Sequence, residues 1–345
     1  MKHRLFWPVV ALVSLIVINS LARPRFASVV VQDGRLYGAL IDILRNSAPL
    51  MLVSLGMTIV IATRGIDLSV GAVMAVSGAV ALTIIDDSTA ANSLSTVMVA
   101  VAVAVLASLF LGAWNGFLVS ALGIQPIIAT LVLMLAGRGV ALLITGGFIT
   151  TVNSTPFEFI ASGYVLLLPV AFFISVAAIA AVALIERRTA LGVLTEAVGI
   201  NPEASRLAGV RARGIIWSAY AASAVLSGIA GIIYASNIRA ADANAAGQFI
   251  ELYAILAVVL GGTSLMGGKF SIAGTVVGVL IIQTLESTIL FLGVPSAQSP
   301  VFFAFVVMVV VVIQSPRLHR VIRNLFHVVR SRRAPDSTRD VEAAR

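Results

Sequence analysis

The feature that most constrains this chain is a succession of long apolar runs separated by short polar connections. A hydrocarbon core about 30 Å thick needs about 20 apolar residues in each helical span, because backbone N–H and C=O groups must be hydrogen-bonded within the span. The runs therefore predict an all-α polytopic membrane protein with roughly ten transmembrane helices, some of them short or broken. We place these helices at residues 6–21, 48–63, 67–85, 95–119, 126–145, 164–185, 215–235, 251–263, 270–291 and 300–314.

Composition agrees with this class and leaves little material for enzyme chemistry. Hydrophobic residues make up 59% of the chain and charged residues 11%, far from the balance of a soluble domain. There is no cysteine, and the three histidines lie outside the predicted spans. Residues 261–270 depart from a phosphate-binding loop, because Thr263 and Phe270 stand where glycine and a hydroxyl residue are needed. We therefore predict a transport subunit that is not an enzyme and binds no metal or other cofactor itself.

The charge distribution predicts an orientation. If both termini are cytoplasmic, most of the 23 Lys and Arg residues fall on cytoplasmic segments, as the positive-inside rule requires. An exception is the first outer loop, which is rich in arginine. Residues 1–316 then form a permease domain and residues 317–345 a basic tail, which either binds anionic lipid or is an ordinary positive-inside tail. No basic stripe is interleaved with stacking aromatics, so we expect no nucleic-acid partner.

A polar segment at residues 186–214 separates two predicted spans and carries five arginines and three glutamates. Asn201 stands in a helix-capping position, Pro202 suits the first helical turn, and Gly209 suits the end of that helix. A short helix is therefore predicted between the two spans. It is either a solvated connector or a coupling helix that docks in a groove of a cytosolic ATPase.

Motifs along nearly the whole chain resemble the permeases of bacterial ATP-binding-cassette sugar importers of the ribose type. The segment EAVGINPEASRLAGV at 196–210 carries the family's pattern E-A-x-G-x-N-x-x-A-x-x-x-G-[I/V]. Two further stretches, at 32–38 with 41–44 and at 239–247, most resemble permeases of galactofuranose importers. The other matching motifs are GIDLSVG at 65–71, WNG at 114–116, QPIIATL at 125–131, GRG at 137–139 and ELYAILAVVLGG at 251–262.

This resemblance implies a permease that passes a monosaccharide, such as galactofuranose, ribose or another simple sugar, into the cytoplasm across the bacterial inner membrane. It implies three protein partners: a cytosolic ABC ATPase that binds ATP and Mg, a periplasmic sugar-binding protein, and a second permease, identical or homologous. The residues implied to engage the ATPase are Glu196, Ala197, Gly199, Asn201, Ala204 and Gly209. The chain departs from the family at Arg64, where a glycine is usual.

Several polar residues in or near the spans are candidates for a substrate pathway. Asp67 either caps the helix that follows it or lines the pathway. Asn115 and Gln125 either bind sugar hydroxyls or tie neighbouring helices together, and Trp114 offers an apolar face to a sugar ring. Glu286 is an intramembrane carboxylate that either faces a wet cavity or pairs with Arg138.

Asp242 and Asn244 lie in a predicted outer loop. They either face the docking binding protein, form the pathway entrance or belong to a simple solvated loop. The alternative function is an ion-gradient-driven secondary transporter. Such transporters typically carry several intramembrane carboxylates or histidines, whereas Glu286 is nearly alone here.

Overall fold

The computed structural model describes residues 2–32 and 34–293, together with Val301, Ala304 and Met308. The described part is dominated by helices joined by short loops. The helices are α1 (Lys2–Ala22), α2 (Ala39–Ala62), α3 (Val70–Asp86), α4 (Leu94–Ser120), α5 (Pro126–Ile144), α6 (Thr155–Ser162), α7 (Val170–Arg188), α8 (Leu191–Ile200), α9 (Pro202–Leu207), α10 (Ala212–Ile238), α11 (Ile250–Leu260) and α12 (Ile272–Phe291).

Short strands occur only in the connections within this described part, and all pair antiparallel. They are β1 (Val30–Gln32) with β2 (Arg35–Tyr37), β3 (Thr150–Thr151) with β6 (Ala240–Ala241), and β4 (Tyr164–Val165) with β5 (Leu168–Pro169). The β3–β6 pair joins the loop after α5 to the loop after α10. This pairing therefore holds the first residues after α10 beside the residues that follow α5.

Seven of the described helices are long and apolar enough to cross a membrane: α1, α2, α4, α5, α7, α10 and α12. The predicted spans at 67–85 and 251–263 correspond to α3 and α11, which have only 17 and 11 residues. The helix α3 is short because residues 63–69 before it are irregular. The helix α11 lies between the irregular residues 239–249 and the turn at Gly261 and Gly262, so it ends before the predicted position 263. The predicted span at 300–314 and the basic tail at 317–345 lie outside the continuously described ranges. The all-α polytopic architecture is confirmed.

The helices form a bundle in which α10 packs against α2, α3 and α4. Most side chains of α2 and α3 are buried, whereas α1, α4, α5 and α7 present most of theirs outward. An apolar helix with an outward apolar surface is suited to lipid or to another membrane subunit. Two polar residues discussed below, Asp67 and Asn115, are buried inside this bundle.

Small residues allow the close approaches in the bundle. A Cβ on Gly116 would lie 2.9 Å from the Trp217 carbonyl oxygen, and Gly112 packs against Ala224. Gly278 packs in the same way against the backbone of Ala257 in α11, and Gly274 packs against Gly261, the residue after α11. Glycine spaced four residues apart is typical of closely packed membrane helices.

The contacts divide the chain into two units, Met1–Thr288 and Ile289–Arg345. The described residues of the second unit are the last turn of α12, the two residues after it, and three isolated helical positions. All of the candidate site lies in the first unit.

Candidate permeation site and coupling surface

The first irregular segment, residues 63–69, connects α2 to α3 and holds Asp67. One carboxylate oxygen of Asp67 accepts hydrogen bonds from the backbone N–H and the hydroxyl of Ser69, at 3.0 and 2.6 Å. The other accepts from the hydroxyl of Ser223 on α10, at 3.0 Å. Asp67 is buried. It therefore fixes the turn that leads into α3 and ties this turn to the centre of the bundle.

Asn115 belongs to the same buried network. Its side-chain amide donates to the hydroxyl of Ser69 at 2.9 Å. Among the described residues, the amide oxygen of Asn115 and the hydroxyl of Tyr220 are buried without a hydrogen-bond partner. Tyr220 packs directly against Gly65 in the same turn. Asn115 thus links α4 to the turn, as expected of a polar group that ties membrane helices together.

This turn lies deep in the bundle. Asp67 bonds Ser223, which is about 17 Å from the start of α10, a helix of 27 residues that is about 40 Å long. The chain therefore runs along α2 to its end at Ala62, reverses direction near Arg64, and returns toward the middle of the bundle as irregular backbone before α3 begins. Such backbone is tolerated at membrane depth only where it is buried in protein or lines a water-filled cavity.

A second irregular segment, residues 239–249, lies between α10 and α11. It begins at Arg239, which adopts a left-handed conformation, and passes through the β3–β6 pair. It then reaches Gly247, where a Cβ would lie 2.8 Å from the Cα of Gly71. Because Gly71 is the second residue of α3, the segment runs inward along α3 before α11 starts. Two broken spans therefore meet at Gly71 and Gly247.

Arg138 on α5 holds this second segment. One guanidinium nitrogen donates to the carbonyl oxygens of Ala243, Asn244 and Ala246, at 2.9, 3.2 and 2.9 Å. Glu286 on α12 accepts instead from Gln283, at 3.2 Å. Arg138 therefore does not form the ion pair with Glu286 that the sequence left open. It satisfies backbone carbonyls that the broken span exposes.

Asp242 and Asn244 lie within this segment. The carboxylate of Asp242 accepts from the backbone N–H groups of Asn244 and Ala245, at 2.9 and 3.1 Å. The side chain of Asn244 is exposed, as are those of Gln248 and Phe249. The backbone of this segment is held by Arg138 and packed on α3, whereas these three side chains remain exposed.

Trp114 and Gln125 lie apart from the Asp67 network. Trp114 is 50% exposed on the outer surface of α4, next to Phe117. Gln125 is exposed at the residue before α5. Of the five pathway candidates, the structure brings together Asp67 and Asn115 and leaves Trp114, Gln125 and Glu286 elsewhere.

The polar segment 186–214 forms α8 and α9, which meet at Asn201. The side chain of Asn201 accepts from the backbone N–H groups of Glu203 and Ala204, at 3.1 and 3.0 Å, and Pro202 opens the helix. Gly209 has a φ of 84° just after α9. The predicted cap, first turn and end of this helix are confirmed. The hydrogen bond from Arg206 to Glu203, together with its charge, lowers the pKa of that carboxyl.

The coupling candidates on α8 and α9 divide into an inward and an outward set. Gly199 is buried against the end of α2, and a Cβ there would meet the Ala62 carbonyl and lie 2.6 Å from the backbone nitrogen of Gly268. Glu196 and Ala197 are half-buried. Asn201, Ala204 and Gly209 are exposed. The outward set is available to a partner, and the inward set attaches the two helices to the bundle.

Sequence reasoning missed three features of this site. Ser223 and Tyr220, the α10 residues that face Asp67, occupy an apolar run with no local polar motif. The contact between Gly71 and Gly247 joins positions far apart in sequence. The sequence motifs mark Arg64 only as a departure from the family pattern, yet its guanidinium donates to the carbonyls of Ile200 and Met266, at 2.6 and 3.1 Å. Among the described residues no cluster of three or more candidate metal ligands occurs.

A bundle of apolar helices in which two spans are interrupted by irregular backbone is typical of membrane transport proteins. Residues 39–312 match the family described as "Branched-chain amino acid transport system / permease component", and the chain belongs to this family. No solved structure matched the chain.

Three relatives that match most of this chain are named as sugar permeases. The galactofuranose transporter permease protein YtfT of Escherichia coli is 48% identical over 94% of this chain and 95% of its own length. The fructose import permease protein FruF of Bifidobacterium longum is 43% identical over 94% of this chain and 91% of its own. The ribose import permease protein RbsC of Escherichia coli is 36% identical over 89% of this chain and 92% of its own.

Proposed function

We propose that this chain is the transmembrane permease subunit of an ATP-binding-cassette importer that moves a monosaccharide into the cytoplasm. The observation that carries this proposal is the 48% identity with a galactofuranose permease over 94% of the chain. Relatives named for fructose and ribose also match along nearly their whole length, which favours a sugar over an amino acid. The sugar is galactofuranose-like, ribose or another simple monosaccharide.

The proposed partners follow from this role. A cytosolic ABC ATPase binds ATP and Mg and engages the outward residues of α8 and α9. A periplasmic binding protein delivers the sugar, and a second permease, identical or homologous, completes the pathway. The chain lies in the bacterial inner membrane with both termini in the cytoplasm, surrounded by lipid.

The proposed pathway runs past the meeting point of the two broken spans. Polar side chains at membrane depth are costly unless they are paired or face water. The exposed amides of Asn244 and Gln248 lie on the segment that runs inward along α3, which favours a pathway entrance there. Asp67 and Asn115 do not contact the sugar but fix the turn before α3, which borders the pathway. Asp242 fixes the backbone at the pathway entrance. Trp114, Gln125 and Glu286 supply further contacts along the path or with the second permease.

The proposed energy coupling begins at α8 and α9. Closure of the ATPase pair on ATP displaces these helices. Because Gly199 packs directly on Ala62, the displacement reaches the end of α2 and then the turn that carries Asp67. The pathway opens alternately on its two sides.

Reconstitution of the permease with its ATPase and binding protein tests the proposal. We expect vesicles that contain all three to accumulate a radiolabelled monosaccharide when ATP is supplied to the ATPase side. An ionophore that removes ion gradients should leave uptake unchanged, because ATP is the energy source. Uptake that requires a proton or sodium gradient, or that is specific for a branched-chain amino acid, would contradict the proposal.

Orientation is tested by cysteine labelling, which is simple because the chain contains no cysteine. Ala204 is exposed on α9, whereas its neighbour Ser205 is buried and unsuited to labelling. A cysteine at Ala204 should react with a membrane-impermeant maleimide only from the cytoplasm. A cysteine at the exposed Thr89, after α3, should react only from the periplasm. A reversed pattern would overturn the orientation.

A further inference from the structure

The backbone at Arg64 adopts a conformation that is unfavourable for any residue with a side chain. Its φ is 66°, in the left-handed region, where a residue with a Cβ costs free energy that glycine avoids. The residue stands at the reversal between α2 and the turn that carries Asp67. An arginine placed there at a conformational cost calls for a compensating interaction of its side chain.

The guanidinium of Arg64 provides that interaction by joining two other segments. One nitrogen donates to the carbonyl of Ile200 at 2.6 Å, and another donates to the carbonyl of Met266 at 3.1 Å. Ile200 is the last residue of α8, where helix carbonyls lack partners within the helix and carry partial negative charge. The planar guanidinium presents several N–H donors in a fixed arrangement, so it can hold two carbonyls at once.

The turn after α11 is fastened in a second way. The backbone N–H of Gly268 donates to the carbonyl of Ala62, the last residue of α2, at 2.9 Å. Gly267, with a φ of 81°, packs against the side-chain stem of Arg64. The ends of α2, α8 and α11 therefore meet around one side chain.

Two of these segments continue directly into the broken spans. Arg64 is three residues before Asp67 in the first irregular segment, and Met266 follows α11, the short helix of the second broken span. The third segment is α8, which attaches the two coupling helices, α8 and α9, to the bundle. Movement of α8 can thus reach both broken spans through one residue.

We propose that Arg64 is a positioning residue that fastens the coupling helix α8 to both broken spans, so that a displacement of α8 moves them together. This inference rests on the proposed function, in which a cytosolic ATPase displaces α8 and α9. In this proposal Arg64 determines how efficiently ATP hydrolysis drives sugar uptake, and it does not contact the sugar.

The main test is Arg64→Gly, which removes both side-chain hydrogen bonds and relieves the left-handed backbone. The full reconstituted complex is assayed for ATP hydrolysis and sugar uptake in the same vesicles. We expect hydrolysis to stay within about twofold of the unsubstituted complex while uptake per ATP falls on the order of tenfold. Arg64→Lys, which keeps the charge but loses the planar fork, should give an intermediate ratio. Arg213→Ala, at an exposed arginine at the start of α10, should leave the ratio unchanged.

A second measurement needs neither ATPase nor sugar. Spin labels are placed on cysteines at the exposed positions Ala204 and Lys269, one on α9 and one beyond the α11 turn. Pulsed electron resonance on the purified chain should give a narrow distance distribution with Arg64 and a broad one with Arg64→Gly. Arg213→Ala should keep the narrow distribution.

Each outcome decides between the claims. An unchanged distribution in Arg64→Gly shows that the arginine does not hold these segments, and the inference is then wrong whatever the complex transports. A parallel fall in hydrolysis and uptake shows that Arg64 serves assembly, which also overturns it. If the unsubstituted complex shows no ATP-driven uptake, the proposed function fails, while a broadened distribution in Arg64→Gly still supports the bridge.

Discussion

Replacement of Gly199 by alanine is expected to reduce ATP-driven uptake on the order of tenfold or more. The added methyl group would collide with the carbonyl of Ala62 and the backbone nitrogen of Gly268, and neither is the flexible end of a side chain. To make room, α8 must move away from α2. Overpacking of this kind costs about 1–3 kcal/mol, and about 1.4 kcal/mol corresponds to a tenfold change in an equilibrium.

Gly214 offers a matched control for the same chemical change. It lies in the first turn of α10, and a Cβ there meets no atom within 4 Å. Gly214→Ala should therefore leave uptake within about twofold, since alanine is favoured over glycine in a helix. Uptake is measured in the reconstituted complex at equal amounts of membrane-inserted permease. Equal activity of the two variants would remove Gly199 from the proposed attachment of α8.

Replacement of Asp67 by alanine is expected to destabilise the bundle and to abolish uptake. The carboxylate accepts three hydrogen bonds, from the backbone and hydroxyl of Ser69 and from the hydroxyl of Ser223. Each buried polar group left without its partner costs about 1–3 kcal/mol. The turn into α3 would then lose its link to α10. The midpoint of thermal unfolding in detergent should fall clearly.

Two variants make this second expectation specific. Asp86→Ala, at the exposed last residue of α3, should leave the midpoint unchanged or raise it slightly, because an acidic group is unfavourable at a helix C-terminus. Asp67→Asn keeps the shape and one acceptor oxygen, so it should recover part of the lost stability. An Asp67→Ala protein that unfolds at the same temperature as the unsubstituted chain would show that the network does not hold the turn.

The features that the sequence predicted well depend on short stretches of chain. The spans near α4, α5, α10 and α12 follow from runs of about 20 apolar residues, whose lengths are set by the membrane. The cap by Asn201 and the end near Gly209 need only neighbouring backbone groups. The structure leaves Ala204 exposed on α9, and its contact with an ATPase stays a prediction from the motif that carries the family resemblance.

Helix ends within the bundle were harder to predict. The helix α2 begins at Ala39, well before the predicted start at residue 48, although it contains Asp42, Arg45 and Pro49. These residues interrupt the apolar run, so the sequence predicts a later start for the helix. Asp42 lies in the first turn, where a negative charge favours the helix N-terminus. Helix α3 starts later than predicted, because Asp67 and Ser69 form hydrogen bonds that hold a turn instead of a helix.

The sequence by itself determined the membrane class, the order of the spans and the short helix α9 between two of them, because hydrophobic length and capping act within about 20 residues. It did not predict α8. Only the tertiary structure decided which polar groups meet. Arg138 binds the carbonyls of the second broken span and not Glu286, and Asp67 finds Ser223 across the bundle. A polar group in an apolar interior must take a partner wherever packing provides one, and that choice is made between segments far apart in the chain. The meeting of Gly71 with Gly247 follows from the same packing, so the place where the two broken spans join is visible only in three dimensions.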